Sequence, residues 1–343
     1  MKKRMALILV AVLVLGMFGG CGAAEPATTT TEATEPKPTQ SPEEAKVLKI
    51  LTLGSSSSVD ACHMLNLVAA AEGVEQKLVV GTLYYSGCKL SQHVKFLKEN
   101  SPVYQLYLSS SATPNNPPTI MENVTMQMAL RQDCWDVIFL QGGSGETLSD
   151  DAFTNGNIEI IKNYVLENKL NPEAVFGYHA IGVSSTDKDL IATYPLSPNT
   201  YETSAAKYDY DRTRIYAERV DRLERFVETD TDYQYRIYSI TAVENAITSY
   251  LGQKGIKRDY THLTDIGRLV AAYTCYCELY GIEELTEIKV DAIPRSFLKS
   301  TADKTADLVL TESEKAVVLE AVNNTIKHPL EITQSKVTEA QNG

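Results

Sequence analysis

The chain has 343 residues, 43% apolar and 22% charged, enough to bury a large core and too apolar for wholesale disorder. Lys and Arg number 32 against 44 Asp and Glu, for a net charge of -12, which excludes the basic footprint that a nucleic-acid backbone requires. Met1 to Gly20 joins Lys2, Lys3 and Arg4 to the apolar run Met5 to Phe18 and small residues before Cys21. That pattern predicts an export signal, too short for a membrane span.

Phe18-Gly19-Gly20-Cys21 matches a bacterial lipobox except at Phe18. Cys21 is therefore expected to carry diacylglycerol on its thiol and to become the mature N-terminus. The chain would then sit at the cell surface or in the periplasm of a bacterium, lipid-anchored to the membrane; a plain secretory signal is the alternative. Ala23 to Glu44 holds Thr, Pro, Glu and Ala with no large apolar residue, so residues 21–46 read as a disordered tether. One domain is expected over 47–332 and a flexible tail over 333–343. Cys62, Cys88, Cys134, Cys275 and Cys277 show no paired C-x-x-C spacing, so no metal site is expected.

Strands are predicted at Val47–Leu53, Lys77–Tyr84, Val103–Leu108, Asp136–Leu140, Ala174–Tyr178 and Tyr235–Ile240 from short apolar runs bounded by turn residues. Helices are predicted at Asp60–Glu72, Leu90–Glu99, Glu122–Arg131, Ile158–Glu167, Leu263–Tyr280 and Glu312–Thr325 from their apolar spacing. A Tyr- and Arg-rich stretch, Tyr208 to Glu228, lies between the last two strand positions' flanks. Strand and helix in alternation predict an α/β fold, a three-layer α/β/α sandwich with a mainly parallel sheet. In such sheets ligands bind beyond the carboxyl ends of the strands, so motifs at those ends carry weight.

The first strand ends in Gly54-Ser55-Ser56-Ser57-Ser58. Ser56, second after the glycine, fits a nucleophile at a strand-to-helix turn; the bland reading is turn material, with Ser57 or Ser58 capping the next helix. Asp259-Tyr260-Thr261-His262 places a carboxylate three residues from an imidazole, where it can accept the Nδ1 proton and leave Nε2 as a base. Gly87 after the second strand and Gln141 after the fourth are candidate oxyanion donors, with Ser144 as the alternative to Gln141. His179 ends a strand and is a candidate substrate-binding residue. His63 and His93 read as surface or boundary residues, and His328 as a tail residue without chemistry.

In this order the blocks resemble the SGNH, or GDSL-like, hydrolase superfamily: Gly-x-Ser after strand one, a glycine after strand two, an amide donor after a core strand, and D-x-x-H near the C-terminus. They are more closely similar to a bacterial group of that superfamily described only as a domain of unknown function, with Gly-Asn-Ser-Phe-Ser at the first block and Asp-Gly-x-His-Leu at the last. The matching text is Leu53 to Ala61, Tyr85-Ser86-Gly87-Cys88, Trp135 to Gln141, and Asp259 to Leu263 followed by Gly267-Arg268. Ser55, Ser57 and Tyr260 stand where that group has Asn, Phe and Gly. The resemblance implies a Ser56, Asp259, His262 triad and a serine esterase without cofactor, acting on an acylated, first of all acetylated, carbohydrate. The alternative is a lipid-anchored carbohydrate-binding protein on an inactive scaffold of the same kind.

Overall fold

The computed structural model describes residues 47–143, 145–193, 205–299 and 305–338. Contacts divide the chain into Met1–Gln40 and Ser41–Gly343, and every described residue lies in the second unit. The leader, Cys21 and Ser144 lie outside the described residues.

Strand β1 (Val47–Gly54) is buried on both faces from Ile50 onward, the pattern of a central parallel strand. It runs into α1 (Ser56–Cys62) and, after a break at His63 and Met64, α2 (Leu65–Ala71). The single helix expected over Asp60–Glu72 is therefore two, starting earlier than its apolar spacing suggests. At the break His63 turns inward to hydrogen-bond the carbonyl of Phe297 at 3.2 Å, so it is buried and not a surface residue. β2 (Lys77–Tyr84) and α3 (Leu90–Glu99) follow. His93 on α3 is likewise buried, its Nδ1 2.8 Å from the Tyr104 hydroxyl.

β3 (Tyr104–Ser110) and β4 (Thr119–Val124) form a hairpin before α4 (Met126–Leu130). The helix expected from Glu122 starts only after Thr125, whose hydroxyl accepts the Met128 N–H. Residues 122–124 belong to the edge strand instead, because the loop after Ser110 brings them back beside β3. Then come β5 (Val137–Leu140), α5 (Asp151–Thr154), α6 (Asn157–Asn168), β6 (Val175–His179), α7 (Lys188–Ala192), α8 (Arg212–Phe226) and β7 (Tyr233–Ile237). The strand expected to reach Ile240 stops at Ile237, and the apolar run beyond it winds into α9 (Ser239–Ile247). α10 (Gly252–Ile256), α11 (Asp265–Tyr280), the short pair β8 (Ala292–Ile293) with β9 (Leu308–Val309), and α12 (Glu312–Lys327) follow, and single 3-10 turns stand at Glu146–Leu148 and Arg295–Phe297.

The seven-stranded sheet has the order β4-β3-β2-β1-β5-β6-β7. β2, β1, β5, β6 and β7 are parallel, while β3 and β4 are antiparallel. Helices cover both faces: Ile50 packs on one side with α1, α2, α9, α11 and α12, and Leu51 and Leu53 on the other with α3, α6 and α8. The fold is the three-layer α/β/α sandwich with a mainly parallel sheet. β1 has its neighbours β2 and β5 on opposite sides, so the chain reverses winding direction there, and a crevice opens at the carboxyl ends of β1 and β5.

α11 departs from the amphipathic helix expected at Leu263–Tyr280. It begins at Asp265 behind the cap of Thr264 and is buried along nearly its whole length, Cys275 and Cys277 included, because α1 and α2 pack on it along with α9 and α12. Among the described residues no helix is long and apolar enough to cross a membrane.

Candidate active site

At the carboxyl end of β1 the chain turns within one residue. Ser55 is the N-cap of α1, its hydroxyl accepting the Ser57 N–H at 3.4 Å; the cap is thus Ser55, neither Ser57 nor Ser58. A side chain at Gly54 would collide with the Ser58 hydroxyl and the Gln141 amide, so only glycine lets the strand pass this closely. Ser58 is fully buried and donates its hydroxyl proton to Gln141 Oε1. Ser56 and Ser57 remain half-buried and face a cavity of about 720 Å³.

Gly87, Tyr260 and Thr261 line the same cavity as Ser56. Gly87 has φ +60°, a left-handed geometry that glycine adopts without strain. His262 follows Thr261, and its Nδ1 lies 2.9 and 3.0 Å from the two Asp259 carboxylate oxygens. The backbone N–H groups of Thr261 and His262 donate to Asp259 Oδ1 at 2.9 and 2.8 Å. Burial pushes the Asp259 carboxyl up, but the hydrogen bonds from the His262 side chain and from these backbone groups, with the imidazole charge, outweigh it and bring it down to about 2. The acid stays ionised, and it fixes the imidazole with Nε2 directed away from it.

Two sequence candidates sit elsewhere. Gln141 lies beneath the serine loop and off the cavity wall: Oε1 accepts the Ser55 N–H at 3.3 Å and Nε2 donates to the Gly142 carbonyl at 3.0 Å. Both ends of the amide are engaged in bracing the loop, and these backbone partners fix which end is oxygen. His179 is 1% exposed, hydrogen-bonded through Nε2 to Ser239 at 2.9 Å, and burial takes its imidazole down to about 4. It is a core residue between β6 and α9, not a wall of the cavity, because the strand end is covered by the following turn.

What joins the two halves of the site is a residue without an assigned role in the sequence reading. Asp60, one turn along α1 from Ser56, accepts the Leu263 N–H at 3.0 Å and lies 3.3 Å from Arg258 Nη1 and 3.2 Å from Arg268 Nε. Its carboxylate therefore grips both sides of the His262 turn. Arg268 is fully buried and also reaches Asp265 and the Phe297 carbonyl. The usable signal was spacing: a carboxylate four residues after Ser56 shares its helix face, and an Arg inside an apolar helix requires a partner.

Lys257 is also buried, and among the described residues its Nζ has no hydrogen-bond partner. It borders a small void behind α1 lined by Ser57, Asp60, Ser239 and Thr261 among others. Burial and the Arg212 charge bring the amine down to about 7, against the opposing pull of Glu244, Asp259 and Asp60. A separate cleft of about 810 Å³ opens beside Glu224, Arg236, Glu278 and His328, away from the Ser56 and His262 elements.

Asp60→Ala is expected to cost about 3–5 kcal/mol of unfolding free energy, the loss typical when one partner of a buried ion group is removed. Arg258→Ala, at a half-exposed position, costs less. Urea titration measures both, and an unchanged midpoint for Asp60→Ala contradicts the role given to Asp60. For Lys257 the folded amine loses its proton near pH 7 while the unfolded one keeps it to about 10. The unfolded state then binds the extra proton between those values, so stability rises with pH across that window. Lys257→Met should flatten this rise and stabilise the protein most below pH 7; denaturation at pH 6 and 9 checks it, and an unaltered slope contradicts it.

A family model described as a domain of unknown function, DUF4886, matches residues 49–305. Among solved structures the chain is similar to a DUF4886 family protein from Bacteroides uniformis, 24% identical, with 84% of this chain and 98% of that one covered at a TM-score of 0.66. It is also matched, at 14% identity and a TM-score of 0.39 over 68% of this chain and 99% of that one, to a protein from Slackia heliotrinireducens described as "a putative SGNH hydrolase". Comparison with curated proteins finds no relative. The family match covers well over half of the sequence and includes every residue of the site just described, from Gly54 to Arg268: the chain belongs to the DUF4886 family.

Proposed function

We propose that the protein is a serine esterase that removes acyl groups, acetyl first of all, from carbohydrate. The observation that carries this reading is the convergence of Ser56 and the Asp259–His262 turn on one cavity, from positions 203 residues apart at the Asp60–Leu263 clamp. No local folding requirement explains a half-buried serine, a left-handed glycine and the turn that precedes a carboxylate-bound imidazole around one space.

In this mechanism Ser56 Oγ attacks the ester carbonyl carbon while His262 Nε2 takes its proton. The carbonyl oxygen becomes an oxyanion, stabilised by the backbone N–H groups of Ser56 and Gly87. The C–O bond to the sugar then breaks and His262 returns the proton to the departing alkoxide. Water repeats the sequence on the acyl-serine, with His262 again as base, releasing the acid and restoring Ser56. Asp259 holds the productive tautomer throughout. Gln141 positions the loop from below instead of touching the oxyanion. The lipid anchor at Cys21 belongs to the same reading and rests on the leader sequence alone.

Release of acetate from acetylated xylo-oligosaccharide by the full-length chain tests the triad as a unit. Ser56→Ala and His262→Ala should each lower kcat by about a thousandfold or more, and the double variant scarcely further, since neither group acts without the other. Ser57→Ala is expected to keep turnover. Wild-type rates in folded Ser56→Ala, or single losses that multiply in the double variant, contradict the mechanism.

A further inference from the structure

The lining of the cavity contains a cation that the mechanism leaves unused. Arg219, on α8 within the Tyr- and Arg-rich stretch, lines the cavity and is only 4% exposed. Its Nη2 donates to the Thr147 hydroxyl at 2.7 Å and its Nη1 to the Gly182 carbonyl at 3.2 Å. Both partners are neutral, and two bonds leave three of the five guanidinium donors over. Among the described residues no carboxylate forms an ion pair with it. Burial brings the guanidinium down to about 10 against the opposing pull of Tyr178 and Glu244, and it stays charged at neutral pH.

An ionised group removed from water without a counter-charge is costly, and proteins keep such groups paired. The half-buried carboxylate that lines the same cavity does not meet the need. Glu146 turns its carboxylate to the backbone N–H of Leu90, at 2.9 and 3.1 Å, and to that of Gly143 at 3.3 Å, and makes no ion pair with Arg219. Lys89 and Asp151, one charge of each sign, also line the cavity and are exposed to solvent. The buried cation of this cavity is thus Arg219, on which the Glu244 carboxylate, itself paired with Arg212, acts without forming an ion pair; the same cavity is lined by Ser149, Ser184, Ser185 and Asn155, groups suited to a hydroxylated ligand.

We propose that the cavity takes an acylated sugar bearing a carboxylate, and that Arg219 supplies the cation that receives it. The inference rests on the esterase reading for the acyl group, but its recognition half is measurable without turnover. A planar guanidinium suits a carboxylate because its donors can engage both oxygens.

The experiment has a binding arm and a kinetic arm on the full-length chain. In the binding arm, D-glucuronate and D-glucose are titrated into Ser56→Ala by calorimetry. Glucuronate should bind about tenfold more tightly or better, the ratio expected for a charge-assisted hydrogen bond, and adding Arg219→Gln should abolish the preference while leaving glucose affinity unchanged. In the kinetic arm, kcat/KM for acetate release from an O-acetylated methyl glucuronoside should exceed that for the matching glucoside by a similar ratio, which Arg219→Gln removes and Arg219→Lys partly restores. Equal binding of the two sugars by the parent protein overturns the proposal whether or not Arg219→Gln folds. Equal losses for both substrates in Arg219→Gln also overturn it, since bracing of Thr147 would then be the residue's whole role. Arg219-dependent binding of glucuronate without acetate release upholds the carboxylate site and removes the esterase reading instead.

Discussion

One carboxylate sets the geometry on which everything else in the site depends. Asp60 stands a helical turn from Ser56 and holds Arg258, the Leu263 amide and Arg268, so it clamps the turn carrying His262 to the helix carrying the serine. The parts it joins come from opposite ends of the domain. Such a buried ion group adds little net stability relative to an apolar core. What it fixes is distance and register, through directional bonds that apolar packing lacks. The fully buried Arg268 is the cost of that arrangement, and α11 must be covered on all sides to hold it.

The sheet explains why the clamp is needed. β1 and β5 end at the point where winding reverses, and the crevice there is open by topology, without any side chain having to create it. β1 delivers Ser56 from one side with a Gly54–Gln141 contact too close for any other residue at position 54. α11 delivers the imidazole from the other side through the turn before its N-terminus. Neither element is bonded to the other within the sheet, so their relative position depends on α1 packing against α11 and on Asp60 between them.

Much of this was legible in the sequence. The parallel strands were short apolar runs ending at turn residues, and Gly54, Gly87 and Asp259-x-x-His262 stood where those strands and the helix α11 meet loops. The failures have physical causes. Residues 122–124 continue an apolar spacing compatible with a helix, and pairing with β3 decides against it. The run after Ile237 is as apolar as a strand and becomes α9 because it packs on α11 and α12. Gln141 and His179 end strands, which suggested access to the crevice, but the identity of a neighbour decides access: Ser55 and Gly142 take up the amide of Gln141, and Ser239 takes the His179 ring. Arg219 and Lys257 were illegible for a related reason, since a charged residue reads as solvated until its segment is placed against its neighbours, whereas Asp60 was readable only through its spacing from Ser56.

The most direct measurement of the central claim is covalent trapping of the full-length chain with a serine-directed alkyl phosphonate bearing a good leaving group, followed by peptide mass spectrometry and a structure of the adduct. The account predicts one phosphonate on Ser56, none on Ser55, Ser57 or Ser58, loss of labelling in His262→Ala, and a phosphoryl oxygen in hydrogen-bond reach of the Ser56 and Gly87 amides. Labelling at Ser57, or an unlabelled protein that still releases acetate, would contradict it.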